Sequence, residues 1–577
     1  MRRNEVWFIV LAAGVGAASG LSVTALLGAA NLLHLLFFGH RQLSSLASLV
    51  APIQALVPLA GGLILGISGI YVRKRFPKRP ADPIEANALL GGRMSLKESA
   101  LISAQTVISN GFGASVGLEA AYTQMGSGFA SWLGTAFRLR RSDMRMLVAC
   151  GSAGAISAAF GAPLTGAFYA FELILGTYTP FGLAPVGAAA VSGILVAEAL
   201  GASGGYMNQM AMTSALSLGD LTLLLLLAVI CALFGVLVMR AVTAVEGICA
   251  RLALPRALRP AAGGLIVGLL ALVTPHVLSS GHGALFELFG PGAGPSDVIL
   301  VTLLLKAAAS AISLGTGFRG GLFFASLFLG GMLGRVYFFA LDYIDPLLAP
   351  DVYVCTLAGM ASLAVAIIGA PVAMSFLALE TTGDFPLGLV MLAAASLVSV
   401  IVRRTFGYSF ATWRLHLRGE SIRSAQDVGW MRDLTVARLM QTDVPKARLD
   451  MSVAEFKEAF PLLSSNHWVA VTGPGEVYAG MIYVPGVYLA GAKPGVGAAG
   501  FGEFIRSPGQ FLLPEMNIQL AAQLFEQTET EALAVTASKE DRRVIGLLTE
   551  AHVLRRYADE LAKAHRDLAG ENWLAGR

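Results

Sequence analysis

Long stretches without a charged side chain recur through the N-terminal two thirds of the chain. The most prominent are 42–72, 99–118, 147–171, 221–239, 351–379 (charged only at its first residue) and 385–402. A helix needs about 20 apolar residues to cross the hydrocarbon core of a bilayer. The apolar segment 6–38 is longer than this, so we expect its helix to be tilted. Together with the uncharged stretches it predicts more than about ten membrane helices.

Composition agrees with this pattern. The chain has 577 residues, of which 55% are hydrophobic and only 14% charged, whereas soluble domains average about 25% charged residues. The 66 glycines predict short, tilted and closely packed helices, some of which end inside the membrane.

Charge and potential ligand residues exclude several functions. A net charge of +4 gives no reason to expect a nucleic-acid partner. The four cysteines and eight histidines show no metal-ligand spacing, so we expect no metal site. No catalytic constellation is apparent, and we do not expect an enzyme.

Basic clusters predict the orientation, because cytoplasmic loops of membrane proteins are enriched in Lys and Arg. These clusters lie at 2–3, 73–79, 138–145 and 403–404. They predict a multi-pass protein of the plasma membrane, which in a bacterium is the cytoplasmic membrane, with both termini in the cytoplasm.

An internal repeat divides the membrane part into two halves. Residues 160–176 (FGAPLTGAFYAFELILG) match 368–384 (IGAPVAMSFLALETTGD), a shift from 160 to 368 of 208 positions. Residues 113–126 match 317–330, a shift of 204. Repeats of this kind place substrate sites at the interface between the halves, near the midplane.

The last part of the chain has the composition and short periodicity of a soluble α/β module. We place the boundary between 1–425 and 426–577. Two similar β-α-β-β-α units follow, at about 432–486 and 508–562, and Ala470 and Ala534 occupy equivalent positions, a shift of 64. A linker rich in Gly and Pro separates the units.

Four motifs in this order resemble the CLC family of chloride channels and proton-coupled chloride exchangers. Residues 117–121 (GLEAA) resemble the GxEGP filter motif, and 320–325 (GGLFFA) resemble the GxFxP motif. Residues 160–166 resemble the segment that follows the gate, and Tyr408 falls where the family places its pore tyrosine. The tail resembles the paired CBS domains of many members.

The resemblance implies an all-α polytopic membrane protein with a cytoplasmic α/β CBS pair. It implies about eighteen membrane helices in an inverted repeat, a homodimer in the lipid bilayer with one pore per subunit, and chloride as the partner ion. Backbone N–H groups at helix N-termini attract anions without a full charge. The residues expected to bind the anion are Gly117, Leu118, Gly320, Gly321, Leu322, Phe323 and Tyr408.

Glu119 is the predicted gate. A carboxylate in an apolar membrane segment is costly and marks a functional site. Beside an anion site it would compete with the anion for the same N–H groups until protonation neutralises it. Lys306, alone in an apolar segment, either attracts anions or extends to the interface.

The chain departs from the family pattern at three places. No serine aligns with the inner anion ligand; the nearest segment is 79–85 (RPADPIE). Leu173 occupies the position of the proton-carrying glutamate of coupled members, next to Glu172. We interpret Glu172 and its equivalent Glu380 as structural, although Glu172 could carry protons. In the tail, Thr549 keeps one feature of an adenine-nucleotide site, so nucleotide binding and simple dimer packing both stay open.

The sequence therefore favours a passive chloride channel gated by Glu119, with no cofactor beyond a possible adenine nucleotide. Two alternatives stay open: a chloride/proton antiporter of the same family, and a sensor or scaffold that conducts poorly. The anion preference among chloride, fluoride and nitrate is also open.

Overall fold

The computed structural model describes residues 2–41, 50–75, 80–201, 217–252, 254–289, 295–416, 434–462, 467–490, 501–556 and 559. The chain divides into two compact units, Met1–Asp427 and Val428–Arg577. The boundary predicted from the sequence lies outside the described residues.

The described part of the first unit contains seventeen helices, in keeping with the predicted number of about eighteen. The first eight are α1 (Arg2–Phe38), α2 (Val57–Arg75), α3 (Pro83–Leu89), α4 (Leu96–Gly111), α5 (Glu119–Ala136), α6 (Arg141–Phe160), α7 (Pro163–Leu175) and α8 (Pro180–Ala199). The others are α9 (Leu218–Arg251), α10 (Arg259–Ala271), α11 (His282–Phe289), α12 (Ser296–Thr316), α13 (Phe323–Ile344), α14 (Val352–Ile368), α15 (Pro371–Thr382), α16 (Phe385–Thr405) and α17 (Phe410–His416).

Only some of these helices can cross a bilayer alone. Among the described residues, seven helices are long and apolar enough to span a membrane, including α1, α9 and α13. Several of the others are shorter, such as α3, α4 and α11, as the high glycine content predicted.

The repeat is visible as two sets of eight helices, in which α1–α8 correspond to α9–α16. Equivalent glycines make equivalent packing contacts. A Cβ on Gly126 would lie 2.5 Å from the carbonyl oxygen of Gly151, and a Cβ on Gly330 would lie 2.3 Å from that of Gly359. Glycine is therefore required where α5 meets α6 and where α13 meets α14, because the two backbones touch.

The two halves also cap each other's helices. The carboxylate of Glu380, at the end of α15, accepts N–H bonds from Leu164 and Thr165 at the start of α7, at 2.7 and 2.8 Å. The carboxylate of Glu172 accepts N–H bonds from Val372 and Ala373 at the start of α15, at 3.1 and 2.9 Å. The hydrogen bonds of both glutamates agree with the structural, capping role expected for them.

One difference breaks the equivalence of the halves. The last turn of α7, Ala170–Leu175, is a π-helix, whereas α15 remains α-helical to Thr382. Such turns insert one extra residue and occur frequently at functional sites. Leu173 lies within this turn.

The second unit contains the tandem α/β arrangement expected of the tail. Its elements are α18 (Val436–Leu439), β1 (Lys446–Arg448), α19 (Val453–Ala459), β2 (Trp468–Thr472), β3 (Tyr478–Tyr483), α20 (Val484–Ala490), α21 (Ile518–Thr528), β4 (Ala532–Thr536), β5 (Val544–Thr549) and α22 (550–556). Strands β2 and β3 pair antiparallel, as do β4 and β5. The equivalent residues Ala470 and Ala534 lie in one apolar cluster shared by both repeats.

Candidate functional site at the meeting point of the two halves

The N-termini of α5 and α13 meet through their preceding glycines. The N–H of Gly117 donates to the carbonyl of Gly321 at 2.9 Å, and the N–H of Gly321 donates back to Gly117 at 3.2 Å. Helix α5 then begins at Glu119 and α13 at Phe323. The first N–H groups of a helix have no partner inside it, so two partially positive helix ends lie side by side.

Side-chain hydrogen bonds fix the loop that leads into α5. The Oγ atoms of Ser115 and Ser310 lie 2.9 Å apart, and the N–H of Ser115 donates to the Oγ of Ser313 at 3.0 Å. The Nδ2 of Asn110 donates to the carbonyl of Val116 at 2.8 Å. The two contacts of Ser115 join the loop of the first half to α12 of the second, so the geometry of the site depends on both halves.

Glu119 is folded into the interior at this point. Its side chain is only 3% exposed, and neither carboxylate oxygen has a hydrogen-bond partner at normal geometry within the described part of the chain. A Cβ on Gly117 would lie 2.0 Å from Oε2 of Glu119. Glycine at 117 is therefore required for the carboxylate to fold back over the start of its own helix.

A cavity of about 420 Å³ opens beside Glu119. It is lined by parts of α3, α4, α5, α7, α14 and α17, by the first residue of α13 and by the segment before it. Its charged and hydroxyl-bearing lining residues are Asp82, Glu85, Thr106, Glu119, Thr123, Tyr169, Arg319 and Arg414. At about 30 Å³ for each water molecule in the liquid, the cavity is large enough for an anion together with water.

The structure brings most of the predicted pore residues to this cavity. Those that line it are Glu119, Gly320, Gly321, Leu322, Phe323 and Leu173. Gly117 and Leu118 are not among the lining residues, but they form the turn that starts α5. The carboxylate of Glu172 accepts a backbone hydrogen bond at the start of α15 instead. Thr549 is the last residue of strand β5 in the second unit.

Tyr408 is not among the residues that line the cavity. Its hydroxyl lies 3.0 Å from Nδ1 of His416, and the two rings stack with centroids 4.5 Å apart. The ring also packs near Phe406 and Trp413. The structure therefore places Tyr408 with its aromatic neighbours around α17 and not in the lining of the cavity, and its contact with an anion stays a prediction.

Lys306 does not extend to the interface. Its side chain is completely buried in α12. Its Nζ donates to three successive backbone carbonyls, those of residues 277–279, at 3.2, 3.3 and 2.6 Å. The N–H of Ser279 in turn donates to the carbonyl of Gly113 at 3.2 Å. Lys306 therefore supports the loop that leads to Gly117.

Comparison with known proteins identifies the family. The family profile described as voltage gated chloride channel matches residues 61–404, which include both meeting helices and all residues that line the cavity except Phe410, Ala411 and Arg414. The chain belongs to this family, the CLC family. It is therefore a multi-pass membrane protein of a family of chloride channels and transporters.

Individual relatives agree with this assignment. A ClcB-like chloride channel protein of Ralstonia nicotianae is 32% identical over 347 residues, covering 59% of this chain and 80% of its own. The structure of a slow cyanobacterial Cl−/H+ antiporter has a TM-score of 0.60 at 20% identity, covering 71% of this chain and 97% of that chain. A eukaryotic CLC transporter has a TM-score of 0.58 at 16% identity, covering 94% and 97%. These two structures show that the fold is shared.

Sequence reasoning missed several residues of the CLC cavity. Tyr169 is buried on α7, and its ring centroid lies 5.9 Å from that of Phe323. Asp82 stands before α3, and its Oδ1 accepts the N–H of Glu85 at 2.7 Å. The Asp-Pro pair at 82–83 is a helix-start signal, and the family resemblance singled out 79–85 only as the segment nearest to the inner anion ligand, with no role for Asp82.

Proposed function

We propose that this CLC protein carries chloride across the membrane along the cavity at the meeting point of α5 and α13, and that Glu119 is the gate. The observation that supports this most is the buried carboxylate of Glu119, which lies without a hydrogen-bond partner in the described chain where the two helix ends meet. A desolvated carboxylate there occupies the place that suits an anion.

Opening then follows from competition between two negative charges. An ionised Glu119 and a chloride ion repel each other strongly in a site of low dielectric constant. Protonation of Glu119 removes that repulsion. It also weakens the attraction between the carboxyl group and the helix ends, so the backbone N–H groups can bind the anion. Conduction should therefore rise as the pH falls.

The permeant ion and the assembly are part of the proposal. Backbone N–H groups recognise an anion without a permanent positive charge that would trap it. Chloride is the ion that the family resemblance implies, and we extend to this chain the homodimer that it also implies, with both termini in the cytoplasm.

Leu173 supports an uncoupled channel, because an aliphatic side chain in the cavity cannot carry a proton. The carboxylates of Asp82 and Glu85 in the same cavity favour the second candidate, a chloride/proton exchanger. Both candidates use the same anion pathway and the same gate.

The experiment is chloride efflux from liposomes that contain the purified protein, started by a potassium ionophore and followed with a chloride electrode. We expect efflux well above that of protein-free vesicles, and none when gluconate replaces chloride. Absence of chloride efflux from protein that elutes as a folded dimer would contradict the proposal.

A further inference from the structure

The CLC cavity carries more charge than an anion pathway needs. Three carboxylates line it, those of Asp82, Glu85 and Glu119, together with the guanidinium groups of Arg319 and Arg414. With every group ionised the lining bears one net negative charge, which disfavours a chloride ion. One bound proton makes the lining neutral and a second makes it positive. Proton binding and anion binding in this cavity should therefore favour each other, and the effect is reciprocal.

Tyr169 and Thr123 line the cavity together with these carboxylates. The hydroxyl of Thr123 donates to the backbone carbonyl of Glu119 at 3.0 Å. The cavity that holds Asp82 and Glu119 thus also holds two hydroxyl groups, and each can accept and donate a proton.

The two acids differ in their access to solvent. Glu119 is 3% exposed, whereas Asp82 is half-buried. Asp82 follows Arg75, the last residue of α2, by only a few positions in the sequence. Arg75 belongs to a basic cluster that is predicted to lie in the cytoplasm. Asp82 is therefore more accessible to a proton from solvent than Glu119 is.

We propose that Asp82 is the inner proton site of the pathway and exchanges a proton with Glu119 across the cavity, which couples proton movement to chloride movement. The proton leaves the carboxylic acid of Asp82, passes along the hydroxyl groups of Tyr169 and Thr123 and cavity water, and binds the carboxylate of Glu119. One acid is regenerated as the other is consumed, and no further reactant is needed.

This proposal rests on the proposed function and selects its exchanger alternative. Leu173 lines the same cavity but has no titratable atom, and Asp82 performs the task that Leu173 cannot. Besides the two acids, the ionisable groups that line the cavity within the described chain are Glu85, Tyr169, Arg319 and Arg414. The two guanidinium groups offset part of the negative charge, so a single proton is enough to neutralise the lining.

The test compares proton and chloride movement in the same liposomes, with a pH electrode and a chloride electrode. A chloride gradient in the presence of a potassium ionophore should drive protons against their own gradient in the wild type. In Asp82→Asn we expect the loss of this proton movement relative to chloride movement. Asparagine keeps the N-cap of α3 but cannot titrate, so a capping role alone would leave the ratio of protons to chloride unchanged.

Glu172→Gln is the control, because Glu172 caps α15 and does not line the cavity, and it should keep the wild-type ratio. A wild type that moves chloride without protons would overturn the proposal while leaving the proposed function intact. The same holds if Asp82→Asn keeps the wild-type ratio, or if Glu172→Gln loses it instead. Absence of chloride flux from folded wild type is a separate result, which overturns the proposed function and this proposal with it.

A second variant covers the case in which Asp82→Asn does not fold. Tyr169→Phe keeps the ring that packs against Phe323 and removes the hydroxyl. We expect proton movement relative to chloride to fall below that of the wild type. An unchanged ratio in this variant would overturn the proposal.

Discussion

Glu119 and Gly117 depend on each other through shape as well as charge. The carboxylate can lie against the start of α5 only because Gly117 has no side chain there, since the three atoms nearest to an added Cβ all belong to the Glu119 side chain. The backbone at 117 does not need glycine for a positive φ. A methyl group at position 117 should therefore displace the Glu119 side chain without changing the backbone conformation.

We predict that Gly117→Ala raises chloride efflux at neutral pH, because the new Cβ displaces the Glu119 carboxylate from its position. The double variant Gly117→Ala with Glu119→Gln should match Glu119→Gln alone, since two changes that act through one group are not additive. The measurement is the rate of chloride efflux from liposomes for the wild type, the two single variants and the double variant.

Gly187→Ala is the matched control, because a Cβ there meets nothing within 4 Å, and its efflux should equal that of the wild type. If Gly117→Ala slows efflux equally with glutamate and with glutamine at 119, the glycine serves the close approach of the anion and our interpretation of the contact is wrong.

Individual residues could be predicted from sequence where a repeat or a misplaced charge singled them out. Glu119 was conspicuous as an acid in an apolar segment, and Gly117 and Gly321 matched through the repeat. Tyr169 carried no such signal, and Asp82 was noted only as part of 79–85, the segment nearest to the inner anion ligand. Tyr169 is one aromatic residue among many in apolar segments, and Asp82 resembles an ordinary helix cap. Their placement in one cavity depends on how α3 and α7 pack, which local pattern does not determine.

At the scale of elements, the exchanged caps of α7 and α15 join the two halves of the repeat. Each cap is a carboxylate that accepts two backbone N–H groups of the other half. Hydrogen bonds to a charged group contribute about 1.5–3 kcal/mol, so these contacts are a strong polar link between the halves.

We predict that Glu380→Ala destabilises the protein by about 1–2 kcal/mol, the usual cost of losing an N-cap. The measurement is the midpoint of thermal unfolding in detergent, followed as the fraction that stays dimeric in size-exclusion chromatography. Glu198→Ala is the control, because Glu198 is exposed at the end of α8 and should leave the midpoint unchanged. Equal midpoints for the wild type and Glu380→Ala would show that the caps do not stabilise the fold.

The elements themselves were largely predictable, for a physical reason. Apolar segments in a membrane must satisfy their backbone internally, so long uncharged runs become helices. Proline at the starts of α7 and α15, with glycine just before and after each, sets their ends. The π-helical turn at Ala170–Leu175 was not predictable, because it occurs in only one of two similar sequences.

At the scale of the whole molecule, the duplicated helical unit contains every residue of the proposed pathway. All residues that line the cavity belong to Met1–Asp427. The tandem units of the tail form their own apolar clusters, in agreement with the soluble composition that separated them in the sequence. We therefore propose that the tail regulates transport and is not required for it.

Removal of the tail after Asp427 should leave chloride efflux in liposomes, because neither the gate nor the lining of the cavity is removed. Size-exclusion chromatography must first establish that the shortened protein is a folded dimer. A folded dimer without chloride flux would show that permeation needs the tail.

Adenine-nucleotide binding by the tail is a proposal that rests on Thr549, which ends β5 just before α22. Its hydroxyl is a hydrogen-bond donor and acceptor suited to a ribose or phosphate group. Calorimetry of the full-length protein with ATP should give a binding heat that Thr549→Ala reduces. No heat at millimolar ATP would remove nucleotide sensing and leave dimer packing as the role of the tail.

The most direct test of the central claim, chloride transport gated by Glu119, is liposome chloride efflux from the wild type and Glu119→Gln, measured side by side from acidic to alkaline pH. The wild type should conduct faster as the pH falls, because protonation releases the gate. Glu119→Gln should conduct quickly at every pH, because glutamine is neutral throughout and nearly isosteric with glutamate. The same rate and the same pH response in both proteins would contradict the account.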